Sequence, residues 1–543
     1  MSDLIPTSPS TTLKRLRDTA GNTSVPPPHA FKQPSDAPSL QQLEAILQND
    51  PANFQAWFHK GLRHKQQHQS QLALQCFNQA LTINPSDEAT LIECGNVLFE
   101  LEQFEFALAH HEFALQLNPA SLPALHSKCL ALNRLGRHQE ALHSADQMLT
   151  YSPTFVPALL CQGSLLHTLG HHQEALASYQ QVLQLGQADA LLYLNLANLF
   201  LDMLALDLAS DCYQQALLLE PDNPTLHWNM ALFQLLIGDY AQGWRLYESG
   251  KNAPHLPRGR RRDCAQPMWT GEQSLDGKRI LLYAEQGLGD TIQFVRYAQL
   301  VADLGAQVII EAPASLLPLL GSLGPQFELI TAGTAYQAYD YHCSLMSLPF
   351  VFNTELQTIP QHTPYLFAAP DKVSSIQIAD PEKLRVGLVW SGSTTHQKDR
   401  YRSIPLAQFA DLLTLDASFH CLQTEVRDTD LACLAEFPQI SLHQATLHDF
   451  TDTAALIATL DLVISVDTSV AHLAGAMHKP VWILLPNPPD FRWMLTREDS
   501  PWYPSARLFR AQAQVRAQAQ DWTTVMASVK QALAEKIKEK SKH

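Results

Sequence analysis

Small and aromatic positions recur along the first half of the chain with a period of 34 residues. Read at that interval, Gly61, Gly95, Cys129, Gly163, Ala197 and Ala231 are all small. Twelve residues after each stands a second small residue: Ala73, Ala107, Ala141, Ala175, Ala209 and Gly243. Four residues further on, Phe77, Tyr179, Tyr213 and Tyr247 form an aromatic column, with His111 and Ala145 its weak members. Pro85, Pro119, Pro153 and Pro221 close the units, and Gln187 interrupts that column. Two small positions per unit let two helices cross closely. A proline stops the second helix, because it lacks an N–H and clashes with the preceding turn. The pattern predicts six helix–turn–helix units without insertion. A half-unit at Ser39–Asp50, ending at Pro51, fits the same register as an N-terminal cap.

A repeat of this length and grammar resembles the tetratricopeptide (TPR) repeat. That resemblance implies an α superhelix over residues 38–252, whose concave surface would hold a protein or peptide partner. Residues 1–37 are rich in Pro, Ser and Thr and are expected to be disordered. Residues 253–276 read as a linker. Its basic stretch, His255–Arg262, is either solvated, as charge runs usually are, or an anionic-ligand site.

From about 277 the pattern changes to strand–loop–helix. Arg279–Ala284, Val308–Glu311 and Phe327–Ile330 read as one series of strands. Arg385–Trp390, Phe419–Gln423, Leu462–Val466 and Val481–Leu485 read as a second. These runs are nearly continuous in apolar character, as parallel strands buried on both faces are. Helical patterns such as Ile292–Leu304 and Val470–Met477 alternate with them, which predicts a doubly wound α/β architecture. The Pro- and Thr-containing stretch Thr358–Pro381 divides the series into two lobes, 277–375 and 376–543.

In open parallel sheets, ligands bind beyond the carboxyl ends of the strands. The first such loop is Glu285-Gln-Gly287-Leu-Gly289-Asp290-Thr291. Its glycines allow a tight turn, and the following helix end favours an anion. Asp290 reads either as a helix cap or as a general base. The dinucleotide fingerprint is incomplete, since Ile292 stands where a third glycine belongs. The second loop, Ser391-Gly392-Ser393-Thr394 with Lys398, Arg400 and Arg402, can line and neutralise a phosphate or be a polar surface loop. The third is Asp467-Thr468-Ser469 with His472 on the next turn. Its hydroxyls and helix N–H groups can hold a diphosphate, or merely cap the helix above a core histidine. Asp428-Thr-Asp430 reads as a solvated loop rather than a metal site.

The 543 residues carry a formal net charge of -16, which argues against broad nucleic-acid binding. No apolar run is long enough to span a bilayer. The first twenty residues lack the apolar core of a secretory signal. Nine scattered cysteines fit a reducing cytoplasm.

Taken in order, Gly287–Thr291, Gly387–Ser393 and Asp467–Ala474 resemble the GT-B glycosyltransferases, specifically the ADP-heptose lipopolysaccharide heptosyltransferases. In layout the chain is also similar to the protein O-GlcNAc transferases. The resemblance implies a GT-B fold of two Rossmann-like lobes, with the acceptor on the first and a nucleotide sugar on the second. It implies inversion without a metal or cofactor, the nucleotide sugar being a substrate. Asp290 would be the catalytic base. Gly287, Gly289, Ser391, Gly392, Lys398, Thr468, Ser469 and His472 would line the substrate site, with Asp467 shaping its loop. A TPR scaffold carrying a degenerate, non-catalytic nucleotide-binding domain is the alternative.

Overall fold

The computed structural model describes residues 38–251, 253, 264–335, 338–377, 382–394, 399–511 and 522–542. The N-terminal segment 1–37, the basic stretch His255–Arg262 and Lys398 lie outside the described residues. The chain divides into two compact units, with the boundary between Leu219 and Glu220.

The first unit is helical. Among the described residues, eleven helices run from Leu40–Asn49 to Leu206–Leu219, each packed mainly on its neighbours in sequence. The small columns explain how closely the helices cross. A Cβ added at Gly61 would lie 2.5 Å from the Phe77 ring, one at Gly95 2.4 Å from His111, and one at Gly163 2.4 Å from Tyr179. His111 therefore does the work of an aromatic, and it is fully buried. Where the second helix carries only Ala145, the first carries the larger Cys129, and both are buried. The larger residue of the first helix partly offsets the missing ring of the second. A further column caps the first helix of most units: Asn53 accepts from Ala56 N, Asp87 from Thr90 N, Ser121 from Ala124 N and Asp189 from Leu192 N.

The second unit begins with two more helices, Pro224–Ile237 and Tyr240–Gly250, and continues into the α/β part. Among the described residues ten strands follow: β1 (Arg279–Tyr283), β2 (Gln307–Ala312), β3 (Glu328–Thr331), β4 (Tyr341–Ser344), β5 (Leu384–Val389), β6 (Ala417–Cys421), β7 (Ile440–Leu442), β8 (Leu462–Val466), β9 (Val481–Leu485) and β10 (Ala506–Arg510). They form two parallel sheets, ordered β3-β2-β1-β4 and β10-β9-β8-β5-β6-β7. The chain is thus a helical repeat array followed by an α/β domain with two parallel sheets, the arrangement expected of a GT-B fold.

The strands β4, β7 and β10, which the apolar pattern does not predict, are all edge strands. An edge strand is covered less than a central one and needs no continuous apolar run. The predicted helix Ile292–Leu304 starts earlier and breaks in two, as Leu288–Phe294 and Tyr297–Ala302. The break lets Arg296 turn inward. Its guanidinium donates to the Trp502 and Pro360 carbonyls and to the Tyr365 hydroxyl, so the dividing stretch itself ties the two sheets together.

The paired columns give a direct test. Gly163→Ala gains about 1 kcal/mol of helix propensity but forces the buried Tyr179 ring aside, at a cost of about 1–3 kcal/mol. Combined with Tyr179→Ala, which makes room for the methyl, the loss should fall at least about 1 kcal/mol short of the sum of the single losses. Simple additivity in denaturant titrations would show that the column does not set the crossing.

Candidate active site

The three loops singled out by their position in the sequence come together between the two sheets. Gly287 starts the helix Leu288–Phe294, and its N–H donates to Asp290 Oδ2 at 2.8 Å. Asp290 is therefore a cap. Its other oxygen, Oδ1, pairs with the guanidinium of Arg492. Gly289 lies directly against the third loop: a Cβ there would stand 2.8 Å from His472 Cδ2. Any larger residue at 289 would push the two helix starts apart.

The second and third loops are joined by Arg402. It donates from Nη1 to the Asp467 carbonyl at 2.9 Å, and its guanidinium packs on Gly392, where a Cβ would lie 2.5 Å away. Arg427 approaches the same glycine from another side. Its Nη2 donates to the Gly392 carbonyl at 2.8 Å, to Ser403 Oγ at 3.0 Å and to Asp399 Oδ2 at 2.5 Å. Among the described residues, the buried Nε atoms of both arginines have no hydrogen-bond acceptor, Arg402 Nε lying 3.7 Å from Asp399 Oδ1. Ser391 is turned inward, accepting from Gln423 Nε2 at 3.0 Å. Its backbone N–H donates to Gln423 Oε1 at 3.0 Å. Gly392 N is taken by Ser403 Oγ at 3.0 Å.

In the third loop, Thr468 precedes the helix Ser469–Ala476 but makes no side-chain cap. Its hydroxyl pairs with Ser465 Oγ at 3.0 Å instead. The amino end of this helix thus keeps its positive partial charge without a side-chain acceptor. His472 is 5% exposed. Its Nδ1 meets the Tyr503 hydroxyl at 2.9 Å, its Nε2 lies 3.8 Å from Asp467 Oδ1, and its ring lies over Trp493. Burial first, then Arg492, pushes His472 down to about 3, so it is neutral at physiological pH. Burial, then the neighbouring Asp490 carboxylate, pushes Asp467 up to about 6.

Arg492 joins these parts and is the residue that motif reading missed. It pairs with Asp290 of the first lobe and with Asp490 Oδ1 at 2.8 Å, and its Nε donates to Gln293 Oε1 at 2.6 Å. Its guanidinium stacks on Phe491 and Phe294. The loop after β9 carries no glycine or hydroxyl cluster, only Asp490-Phe-Arg492-Trp493. Its place at a strand's carboxyl end was the available signal.

One expectation needs correction. The stretch around Asp428-Thr-Asp430 is not simply solvated. Asp430 is buried, accepting from Trp390 Nε1 at 3.1 Å and Leu406 N at 3.1 Å, and Arg427 reaches inward to Gly392. Both Asp430 oxygens serve the protein's own donors, so this carboxylate is a structural acceptor. A run of charges in sequence does not show which of them face in.

Comparison with known proteins matches residues 54–87 to the tetratricopeptide repeat and residues 427–523 to glycosyltransferase family 9 (heptosyltransferase). The chain therefore carries TPR repeats followed by a domain of the family 9 type. The matched segment includes Asp467, His472 and Arg492 but not Asp290 or Ser391. Protein FlbA of Caulobacter vibrioides is 27% identical over 355 residues, covering 60% of this chain and 58% of that protein. The chain thus matches little more than half the length of this relative. Among solved structures, a TPR protein from Parabacteroides merdae is similar at 20% identity and TM-score 0.37, over 40% of this chain and 86% of that one. A thermophilic TPR protein from Thermus thermophilus is similar at 24% identity and TM-score 0.31, over 34% of this chain and all of that one.

Arg492 is nearly buried, with its side chain 8% exposed between two carboxylates. Arg492→Met should lower stability by about 3–5 kcal/mol, because it leaves buried charge uncompensated. Adding Asp290→Asn should recover part of that loss. A single variant as stable as the parent in denaturant titrations would show that the guanidinium does not join the lobes.

Proposed function

We propose that this chain is a glycosyltransferase that moves a sugar from a nucleoside-diphosphate donor to a protein or glycan acceptor. The observation that carries this reading is the meeting of three strand-exit loops: Gly289 against His472, Asp290 on Arg492, and Arg402 between Gly392 and Asp467. The family 9 match over the second lobe supports it.

In this reading the diphosphate lies at the amino end of Ser469–Ala476, near Thr468 and Ser469. The helix end, Arg402 and Arg427 balance the negative charge that grows as the C1–oxygen bond to the phosphate breaks. Lys398 would add to them, on the strength of its motif alone. This positive charge comes from the protein itself, which supports a reaction needing no metal. Ser391 and His472 act from behind: one fixes the loop on Gln423, the other props Asp467 and Gly289. On the first lobe, an acceptor hydroxyl attacks C1 from the opposite face, its proton passes to Asp290, and the bond electrons leave with the diphosphate. Configuration at C1 inverts. Asp490 gives Arg492 a second partner, so protonation of Asp290 does not strand the guanidinium.

The helix pair 224–250 belongs to the unit that holds this site. Tyr247 donates to Glu285 Oε1 at 2.8 Å, two residues before Gly287. This supports an acceptor held partly by the repeats. All nine cysteines are free, and no described helix is long and apolar enough to cross a membrane, which supports a cytoplasmic location.

One feature favours the alternative of a non-catalytic scaffold: Asp290 is already engaged by Arg492 and by Gly287 N. Thermal-shift titration with UDP, ADP, GDP and CDP separates the two readings, since a scaffold with a degenerate domain should respond to none of them. With the matching sugar donor, Asp290→Asn should slow transfer by about 10²–10⁴-fold and leave nucleotide affinity within a few fold; unchanged turnover excludes Asp290 as the base. Protonation of Asp467 as pH falls through about 6 removes a negative charge from the pocket, so diphosphate affinity should rise. Asp467→Asn should bind more tightly at neutral pH and lose that part of the pH dependence. Parallel profiles for both proteins would count against Asp467 facing the ligand.

A further inference from the structure

Four consecutive junctions in the repeat array carry three side chains at equivalent sequence positions, spaced 34 residues from one junction to the next. At the first, Ser70 Oγ donates to Glu100 Oε2 at 3.0 Å, beside Lys65 in the same register. At the second, Phe99 and Phe104 pack edge to face, and the Arg134 guanidinium lies 4.4 Å from the Phe104 ring centre. At the third, His138 Nδ1 meets Asn133 Oδ1 at 2.9 Å, with Thr168 the third member. At the fourth the trio is His167, His172 and Asp202.

This fourth trio differs in kind, because all three side chains are of types that can ligate a metal. His167 Nε2 lies 2.8 Å from Asp202 Oδ2, and the two imidazole rings meet edge to face with centres 5.7 Å apart. One ligand atom from each residue lies within 4.8 Å of the other two. Bonds to zinc of about 2.0–2.2 Å would require separations near 3.3 Å. The needed contraction, about 1.5 Å at most, is within reach of side-chain rotation for groups at the surface. Asp202 is 40% exposed, and His167 and His172 are half-buried, so solvent can supply the remaining ligands.

We infer that His167, His172 and Asp202 form a binding site for a divalent transition-metal ion of the zinc class. Two imidazole nitrogens and one carboxylate oxygen are a donor set that suits zinc, cobalt or nickel rather than calcium or magnesium. The ligands come from three elements. His167 is in the last turn of Val156–Thr168, His172 is the first residue of His172–Gln184, and Asp202 is the last residue of Ala190–Asp202. A bound ion therefore clips the fourth repeat to the fifth. This inference is independent of the transferase reading.

The test uses the full chain, stripped with a chelator and dialysed, titrated calorimetrically with zinc chloride. Wild type should take up one equivalent at this site and melt at a higher temperature with zinc. His167→Ala, His172→Ala and Asp202→Ala should each weaken that binding at least about tenfold and lose the zinc-dependent rise in melting temperature. His143→Ala, at an exposed histidine elsewhere in the array, should behave as wild type. Substitution of cobalt for zinc should give a visible ligand-field spectrum that the three variants lack. No saturable uptake by wild type overturns the proposal, as does wild-type affinity in the three variants. If the variants merely lose stability in metal-free buffer, with no response to zinc in any protein, the trio is a polar latch and the proposal falls.

Discussion

The α/β part of this protein depends on one buried guanidinium. Taking the Arg492 charge out of water costs several kcal/mol unless it is paired and hydrogen-bonded. Burial opposes its charge, but Asp490 and then Asp290 outweigh that and hold its proton more firmly than usual. Asp490 is near in sequence, whereas Asp290 and Gln293 come from the first lobe. The charge is thus fully satisfied only when the two lobes are together. The same contact that joins the lobes also orients the carboxylate at the mouth of the first strand-exit loop.

That ion pair is backed by aromatic packing from the last helix pair. Trp244 meets Phe294 and Phe491 edge to face, and these two rings flank the Arg492 guanidinium. Tyr240 stacks on Trp502 and accepts its indole N–H at 3.0 Å. Trp502 in turn offers its carbonyl to Arg296. The rings exclude water around both arginines, which strengthens every charge interaction there. The helix pair that continues the sequence repeat is in this respect part of the core of the α/β unit.

Much of this was legible in the sequence, and the rest was hidden for identifiable reasons. The repeat could be read because its small columns mark backbone contacts that tolerate little else. The central strands could be read because burial on both faces demands continuous apolar runs. The loops holding Asp290, Gly392 and Asp467 followed from strand exits and glycine or hydroxyl content, and the structure brings them together. What stayed hidden is pairing across distance. Nothing local to Arg492 shows that it will meet Asp290, and nothing local to Arg427 shows that it will turn towards Gly392. A charged residue becomes a site residue through its partner, and partners two hundred positions apart leave no periodic trace.

The sixth repeat pair is where pattern and packing diverge in a useful way. By sequence, Ala231, Gly243 and Tyr247 continue the columns of the preceding units. By packing, Tyr247 hydrogen-bonds Glu285 at the exit of β1, and Lys251 reaches Ser344 at the end of β4. Here the final helices are anchored by buried rings and by hydrogen bonds to the loop that leads into Asp290. Those helices are therefore held in fixed geometry to that carboxylate, and the order of this contact is met in folding.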